Sequence, residues 1–242
     1  MKFEIKRTGV TFLLYDTINR YLRRNYMNGS WERIYTKHGR VQLDVLDTAI
    51  QAADIFIENG FEDILDLGCG TGRHTLLLAD RGFNVHACDI SETGIKMTRE
   101  LIEDSGLSNV TYSIQDMYNL NLDSNTQDGI LCIWVQGHGI REEISKGIRE
   151  AYRVLKKGGI FYTDFVTSDD STYGIGDEIA PDTFVGGRPG EEGIPHYYTT
   201  IEELKELFGF FDKVTIEDKR YRFNDNEGNT HEIIAAVVIG IK

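Results

Sequence analysis

The sequence predicts an α/β domain in which a mostly parallel sheet carries helices on both faces and closes with an antiparallel strand. Short apolar strand segments alternate with helical patterns over residues 62–166, which implies parallel strands joined by right-handed crossovers. The first of these segments ends in a glycine-rich turn. After residue 198 the alternation stops, and two long strand-like segments flank a turn, as in an antiparallel hairpin.

The first strand and its turn read EDILDLGCGTG, an apolar run that enters Asp66 and then Gly68, Gly70 and Gly72. Alternating glycines let the strand turn sharply into a helix and let a ligand approach the backbone. In the dinucleotide fingerprint the third glycine comes one residue later, so that a pyrophosphate can lie on the helix N-terminus. The shorter spacing and the carboxylate favour a nucleotide-like ligand without a phosphate, although any α/β domain can leave a strand through glycine.

The next strands bring further polar residues to the same edge of the sheet. NVHACDI ends in Asp89, whose carboxylate could accept two hydrogen bonds from a ribose diol, and VTYSIQD ends in Asp116, placed to accept one from an adenine amino group. The fourth strand, DGILCIWV, delivers Gln136, Gly137 and His138. Helix capping or solvation in a loop is the alternative role for the two carboxylates.

Residues 62–166, including YRVLKKGGIFYTDF at 152–165, resemble the core of class I S-adenosylmethionine-dependent methyltransferases. The resemblance implies a Rossmann-like seven-stranded sheet, S-adenosyl-L-methionine as methyl donor and S-adenosyl-L-homocysteine as product. The cofactor-binding residues it implies are Asp66 near the methionine amino group, Gly68, Gly70 and Gly72 at the turn, Asp89 and Ile90 at the ribose, and Asp116 and Met117 at the adenine. GTGRHTLLLA and TFVGGRPGEEGIPHYYTTIEELKELF resemble the tellurite-resistance type and related small-molecule methyltransferases.

Helices are predicted from apolar residues that recur at steps of three and four. The segment 41–58 should turn one face to the sheet, and helices are expected over 91–104 and 141–156, the last stopping at two glycines. Thr200 and Glu203 predict a capping box for a short helix. The residues expected on the sheet-facing sides are Leu43, Leu46, Ile50, Ala53 and Ile57 in the first helix, and Ile144, Ile148, Tyr152 and Leu155 in the third.

The chain is predicted to form a single domain over 1–242, because a second full domain would be cramped at this length. Its expected parts are an N-terminal helical cap at 1–40, a cofactor-binding core at 41–166, a lid at 167–198, and a C-terminal helix and hairpin at 199–242. The cap is rich in aromatic residues: Phe12, Tyr15, Tyr21, Tyr26, Trp31 and Tyr35. The lid has too much glycine and proline for a helix or central strand, and it carries Phe184, Arg188, His196, Tyr197 and Tyr198.

His138 is the best-placed candidate for a general base, and His196 with Tyr197 is the second. Each also suits a hydrogen-bonded structural role. A thiolate acceptor would need no base, whereas a hydroxyl or protonated amine would. His74 is expected to be structural or a neighbour of the cofactor. The sequence does not distinguish oxygen, nitrogen, sulfur or a metalloid as the accepting atom.

The composition limits the kinds of partner that the protein is expected to bind. The net charge of −13 opposes phosphate binding, so a small-molecule acceptor is favoured over nucleic acid, and the basic run Arg20, Arg23 and Arg24 is expected to be a solvated face. Neither a membrane-length apolar stretch nor a hydrophobic signal core is evident, which predicts a cytoplasmic protein without membrane contact. A homodimer remains open.

The three cysteines, Cys69, Cys88 and Cys132, are far apart and lack paired metal-type spacing. They predict reduced thiols, and no metal site is expected. Two other functions fit parts of the pattern. An NAD-linked oxidoreductase would keep the Asp89 contact but needs a phosphate-compatible turn, and a non-catalytic S-adenosylmethionine-binding regulatory protein would use the lid as an interaction surface.

Overall fold

The computed structural model describes residues 30–41, 43–188, 190–191, 193–224 and 230–242. The expectations for residues 1–29, which include four of the six cap aromatics and the basic run, lie outside the described residues. The helices are α1 Ser30–His38, α2 Asp47–Glu58, α3 Arg73–Asp80, α4 Glu92–Asp104, α5 Arg141–Val154 and α6 Ile201–Leu207. The strands are β1 Asp63–Leu67, β2 Asn84–Asp89, β3 Val110–Ile114, β4 Gln127–Cys132, β5 Leu155–Val166, β6 Asp177–Ala180, β7 Thr183–Val185, β8 Pro195–Tyr197, β9 Lys213–Asn224 and β10 Thr230–Ile241.

Seven strands form one sheet in the order β3-β2-β1-β4-β5-β10-β9. The first five are parallel, and β10 lies antiparallel between β5 and β9. The mostly parallel sheet and the antiparallel closing hairpin are therefore confirmed. Since β1 and β4 are adjacent but not consecutive in the chain, the topology reverses at β1, which is where open α/β sheets bind ligands at the strand ends. In the described part of the chain, no helix is long and apolar enough to cross a membrane.

Apolar layers cover both faces of the sheet. On one face α5 and α6 pack over β5 through buried residues that include Ile144, Ile148 and Phe165. On the other, α2 and α3 pack over β1 through residues that include Phe56 and Leu78. All three cysteines are buried and free, as predicted, and burial raises the pKa of each thiol.

The prediction for the first helix was wrong in the residue at which the helix begins and in most of the residues on its buried face. The helix α2 begins at Asp47, and Leu43 and Ile57 are 68% and 50% exposed. It turns alanines and Phe56 to the sheet instead, with Ala53 as the predicted residue that is fully buried. Small side chains allow this close approach: a Cβ on Gly129 of β4 would lie 3.0 Å from the Phe56 ring.

The third predicted helix also ends early. The helix α5 stops at Val154, and Leu155 already belongs to β5, so the two glycines lie inside a strand. Gly158 has a φ of +80°, a backbone conformation that a side chain would strain. The starts of α4 and α6 agree with prediction, because Ser91 and Thr200 accept hydrogen bonds from the backbone of Gly94 and Glu203.

The lid forms a second, three-stranded antiparallel sheet in the order β6-β7-β8, rather than an irregular loop. Hydrogen bonds fix its position: the N–H of Tyr197 donates to the Gly137 oxygen at 2.9 Å, and the two residues that flank the lid are joined by a bond from the Thr199 N–H to the Val166 oxygen at 3.2 Å. These bonds hold β8 beside the carboxyl end of β4.

Candidate functional site

A cleft opens at the carboxyl ends of β1, β2, β3 and β4. It is an open cleft lined by apolar, aromatic and a few polar side chains, which is typical of a small-molecule site. Its lining residues are Trp31, Tyr35, Val41, Leu67, Gly68, Cys69, Gly70, Thr71, Arg73, His74, Asp89, Ile90, Gln115, Asp116, Met117, Tyr118, Ile133, Trp134, Val135, His138, Ile194 and Pro195.

The glycine turn lines the cleft with backbone. Gly68 has a φ of +78°, and a Cβ there would lie 2.4 Å from a Val135 methyl carbon. A Cβ on Gly70, at φ +56°, would lie 2.8 Å from the Tyr35 hydroxyl. Both positions therefore require glycine for conformation and for space. Gly72 is outside the lining and packs against Thr98 of α4 instead.

Asp89 ties the glycine turn to the second strand. One carboxylate oxygen accepts from the Gly70 N–H at 2.9 Å, and the other accepts from the Ser91 N–H at 2.9 Å. Burial raises the pKa of this carboxyl, and the backbone donors oppose the rise. A carboxylate has about four acceptor positions, so Asp89 keeps capacity for a ligand in the cleft that it lines.

Asp66 lies below the turn rather than in the cleft lining. Its side chain accepts from the Thr75 hydroxyl at 2.6 Å, and the residue is only 3% exposed. Burial raises its pKa to about 7, against the Thr75 hydrogen bond. Any contact between Asp66 and a ligand would therefore pass through an intervening group or a local rearrangement.

The third strand end contributes Asp116 and Met117, which line the cleft beside Ile90. The Asp116 carboxylate accepts from the Tyr118 N–H at 2.9 Å, so this turn is fixed by its own side chain. Together, the glycine turn at 67–72 and the strand ends at 89–90 and 115–117 form what we call the cofactor wall.

Opposite the wall, α1 and the lid residues that follow Gly190 form what we call the roof. Ile34 and Tyr35 pack with Ile194 of the lid. Glu32 anchors α1 to the start of α4, since it accepts from both the N–H and the hydroxyl of Thr93, at 3.1 and 2.5 Å. In the described residues, α1 and the lid therefore meet over the cleft.

His138 and His196 lie side by side at the roof, with ring centroids 5.0 Å apart. The Trp31 ring also contacts His138, with ring centroids 5.3 Å apart. Burial, with the neighbouring His196, lowers the pKa of His138 to about 3. Glu191 lies 2.6 Å from His196 Nε2; burial raises its pKa, but that hydrogen bond and nearby positive charge outweigh it and lower the pKa to about 2.

The other singled-out lid residues lie away from the cleft lining. The Tyr197 ring belongs to the main apolar core, and burial raises the pKa of its hydroxyl. Phe184 and Tyr198 pack edge to face with each other, at 5.8 Å between centroids. Arg188 makes an ion pair with the buried Asp170 at 3.5 Å.

Several lining residues were missed by sequence reasoning. Arg73 lies over the Trp134 ring, 5.1 Å from its centroid. Trp134 has a φ of +60°, and its backbone N–H donates to the carboxylate of the buried Asp164 at 2.8 Å. Tyr221 of β9 donates to the other Asp164 oxygen at 2.7 Å. The closing hairpin thus helps to hold the end of β4, a long-range contact without a local sequence signal.

Residues 64–159 match the family model for a methyltransferase domain. An arsenite methyltransferase of Aquipseudomonas alcaligenes is 29% identical over 177 residues, which cover 67% of this chain and 48% of that protein. A phosphoethanolamine N-methyltransferase 1 of Caenorhabditis elegans is 26% identical over 160 residues, 62% of this chain and 33% of that protein. The chain therefore spans between a third and a half of the length of these relatives.

The crystal structure of TehB from Haemophilus influenzae superposes with a TM-score of 0.61, covering 88% of this chain and 67% of that one at 22% identity. A likeness at this identity shows the fold. Residues 64–159, which carry the glycine turn and the first four strand ends, therefore resemble a methyltransferase domain, and the seven-stranded sheet with its antiparallel closing strand has the fold of that structure.

Proposed function

We propose that this protein transfers a methyl group from S-adenosylmethionine to a small molecule held between the cofactor wall and the roof. The observation that carries the proposal is the glycine turn, whose bare backbone lines a cleft that Asp89 and Asp116 also line. When bound, S-adenosylmethionine supplies an electrophilic methyl group on a sulfonium.

The cofactor wall fits the S-adenosyl group by the chemistry of its donors and acceptors. Asp89 supplies a charged acceptor for the ribose hydroxyls, and Asp116 with Met117 supplies an acceptor and an apolar contact for the adenine. Gly68 and Gly70 leave room for the ligand at the backbone. The buried Asp66 lies below the turn, on the side assigned to the ammonium group, and a cation bound there would favour its ionised form.

The roof is proposed to hold the acceptor. It places Trp31, His138, Ile194 and Pro195 in the lining, a mostly apolar group with one imidazole. Closure over the cleft aligns the acceptor and excludes water, and alignment alone can contribute roughly 7 to 11 kcal/mol to lowering a barrier. His138 is the proposed contact to the acceptor's reacting group. His196 and Tyr197 are positioning residues, the first beside the His138 ring and the second through its backbone bond to Gly137.

Charge supports a small acceptor over nucleic acid, since a net charge of −13 opposes the approach of phosphates. We infer that the chain forms one domain, with residues 167–198 as its lid. Methylation of bulk tRNA or duplex DNA by the purified protein would contradict it.

Two measurements test the function. Calorimetry of the purified chain should show binding of S-adenosylmethionine and S-adenosylhomocysteine, with NAD as the control ligand. A panel of small acceptors, assayed by release of S-adenosylhomocysteine, should then reveal turnover. Tight binding of NAD without S-adenosylmethionine would favour an oxidoreductase. Cofactor binding without turnover of any acceptor class would favour a regulatory protein.

A further inference from the structure

Three metal-ligating side chains converge where the cleft meets the lid. His138 follows β4, and Glu191 and His196 belong to the lid; each offers one ligand atom, and these atoms all lie within 4.8 Å of one another. We propose that this trio, which we call the roof triad, binds a divalent transition-metal ion of the zinc type. The inference that the triad binds a metal ion rests on its geometry alone, whereas the role of that ion in methyl transfer rests on the proposed function.

The donor set selects the class of ion. Two imidazoles and one carboxylate are typical ligands of Zn²⁺, Co²⁺ and Fe²⁺ sites that keep an open position. Mg²⁺ and Ca²⁺ prefer oxygen ligands throughout. The remaining position would face the cleft, because His138 lines it.

The His138 ring is held in place without using its nitrogens. Its backbone N–H donates to the Val135 oxygen at 3.0 Å, and its carbonyl accepts from the Tyr118 hydroxyl. Among the described residues the imidazole itself makes ring contacts to Trp31 and His196 but no hydrogen bond. A partly buried imidazole that lines a cleft and makes no hydrogen bond through its ring nitrogens is suited to bind a metal ion.

A proton relay through the same residues is the competing arrangement, and the geometry disfavours it. A relay from Glu191 through His196 to His138 needs a hydrogen bond between the two imidazoles. Their planes are instead nearly perpendicular, at 88°, and no hydrogen bond joins them. His196 is hydrogen-bonded to Glu191 at 2.6 Å, so the bond that a relay would lack is the one from His196 to His138.

The scaffold brings the two imidazoles together. Tyr197 follows His196, Gly137 precedes His138, and a backbone hydrogen bond of 2.9 Å joins Tyr197 to Gly137. Zinc bonds of about 2.0–2.2 Å would put tetrahedral ligand atoms about 3.4 Å apart, so no pair of ligand atoms in the triad has to approach by more than about 1.4 Å. Metal binding would therefore draw the lid onto the core.

The charge of the triad indicates the acceptor. One carboxylate leaves a divalent ion with a net positive charge, which favours an anionic oxygen or sulfur as the next ligand. A bound cation also lowers the pKa of a coordinated hydroxyl or thiol, and the released proton passes to solvent. We therefore infer that the methyl acceptor is a molecule that binds the metal ion through an anionic oxygen or sulfur.

The test is Co²⁺ binding to the full chain, freed of any histidine tag and treated with chelator, followed by visible absorption and by competition with Zn²⁺. One equivalent should bind. Glu191→Gln, His196→Ala and His138→Ala should each weaken binding by more than about a hundredfold, since losing even an outer-shell partner costs 10–100-fold. His38→Ala and Glu178→Gln, at exposed positions, are the matched controls and should bind as the parent does.

Failure of the parent to bind Co²⁺ at millimolar concentration would by itself overturn the metal site, whatever the variants do. Equal binding by the parent and all three folded triad variants would overturn it too. S-adenosylmethionine affinity is measured on the same samples. Metal binding without cofactor binding would contradict the proposed function and leave the triad standing, whereas the reverse result would contradict the triad alone.

Discussion

The cofactor wall and the roof face each other across one cleft but are held by different forces. The wall is fixed by backbone hydrogen bonds to buried groups, as where Gly68 donates to Cys88 and Gly70 to Asp89. The roof is fixed largely by side chains, such as Glu32 on Thr93 and Tyr35 on Ile194. The wall tolerates little substitution because Gly68 and Gly70 have a positive φ and no room for a Cβ. The contacts of the roof depend on which side chains it carries, and this difference suits a constant cofactor and a variable acceptor.

The largest effect is expected at the wall, from Gly68→Ala. Left-handed strain of about 1–2 kcal/mol adds to overpacking of about 1–3 kcal/mol against Val135, so the free energy of unfolding should fall by about 2–5 kcal/mol. Chemical denaturation measures it. Gly60→Ala is the matched control, because Gly60 has a similar φ of +67° in open space and should show the strain alone. Equal losses in the two variants would mean that Gly68 has no packing role.

Asp89→Ala should weaken S-adenosylmethionine binding about tenfold or more. The variant removes a charged acceptor, and charge-assisted hydrogen bonds contribute roughly 1.5–3 kcal/mol. Calorimetry checks the affinity, with Asp80→Ala, an exposed aspartate at the end of α3, as control. Unchanged affinity in the folded Asp89 variant would remove this residue from the cofactor site.

Beneath the wall, Asp66 should make stability depend on pH. Its folded pKa of about 7 exceeds the ordinary 3.8, so the folded state holds a proton that the unfolded state releases, and stability falls as pH rises through this window. Between pH 5 and pH 8 the ligand-free protein should lose about 2.6 kcal/mol from this group, at roughly 1.4 kcal/mol per pKa unit.

Denaturation at both pH values measures this loss, and Asp66→Asn should reduce it. Asp164→Asn is the comparison variant. Burial raises the pKa of Asp164 to about 6, so its contribution is complete at a lower pH. An Asp66→Asn protein with the full loss of stability would show that Asp66 is ionised throughout.

The smallest effect is expected at the roof. Glu32→Gln weakens the hydrogen bonds that hold α1 on α4, and a typical net loss of 0.5–1.5 kcal/mol should speed amide exchange in 30–38 about two- to tenfold. Lys37→Ala, exposed on the same helix, is the control and should not change exchange. If exchange were unchanged in Glu32→Gln as well, α1 would be held by its apolar contacts instead.

The wall could be predicted from sequence because its parts are local. Gly68, Gly70, Asp89 and Asp116 stand at strand ends, and the alternation of strands and helices fixes where those ends meet. Their assignment to individual cofactor groups stays a prediction. The placement of Asp66 below the turn depends on Thr75, a contact that the local pattern does not encode.

The roof could not be predicted in the same detail. The sequence marked His138 and His196 separately, but their approach depends on how the lid folds over β4, and Glu191 carried no signal among its neighbouring acids. The prediction of which α2 residues face the sheet was wrong for a related reason. Alanines pack closely on the sheet, whereas the larger apolar residues at its flanks point away, and periodicity alone weights them equally.

The bond between Ser30 and Gly193 joins residues 163 positions apart, whereas the bond between Gly70 and Asp89 spans 19. Closing the longer loop costs about 2 kcal/mol more in chain entropy, and during synthesis the second partner emerges only after the whole parallel sheet. The order of assembly therefore places a finished wall before a closed roof. During synthesis, all the residues of the wall have therefore emerged while the cleft still lacks the lid half of its roof.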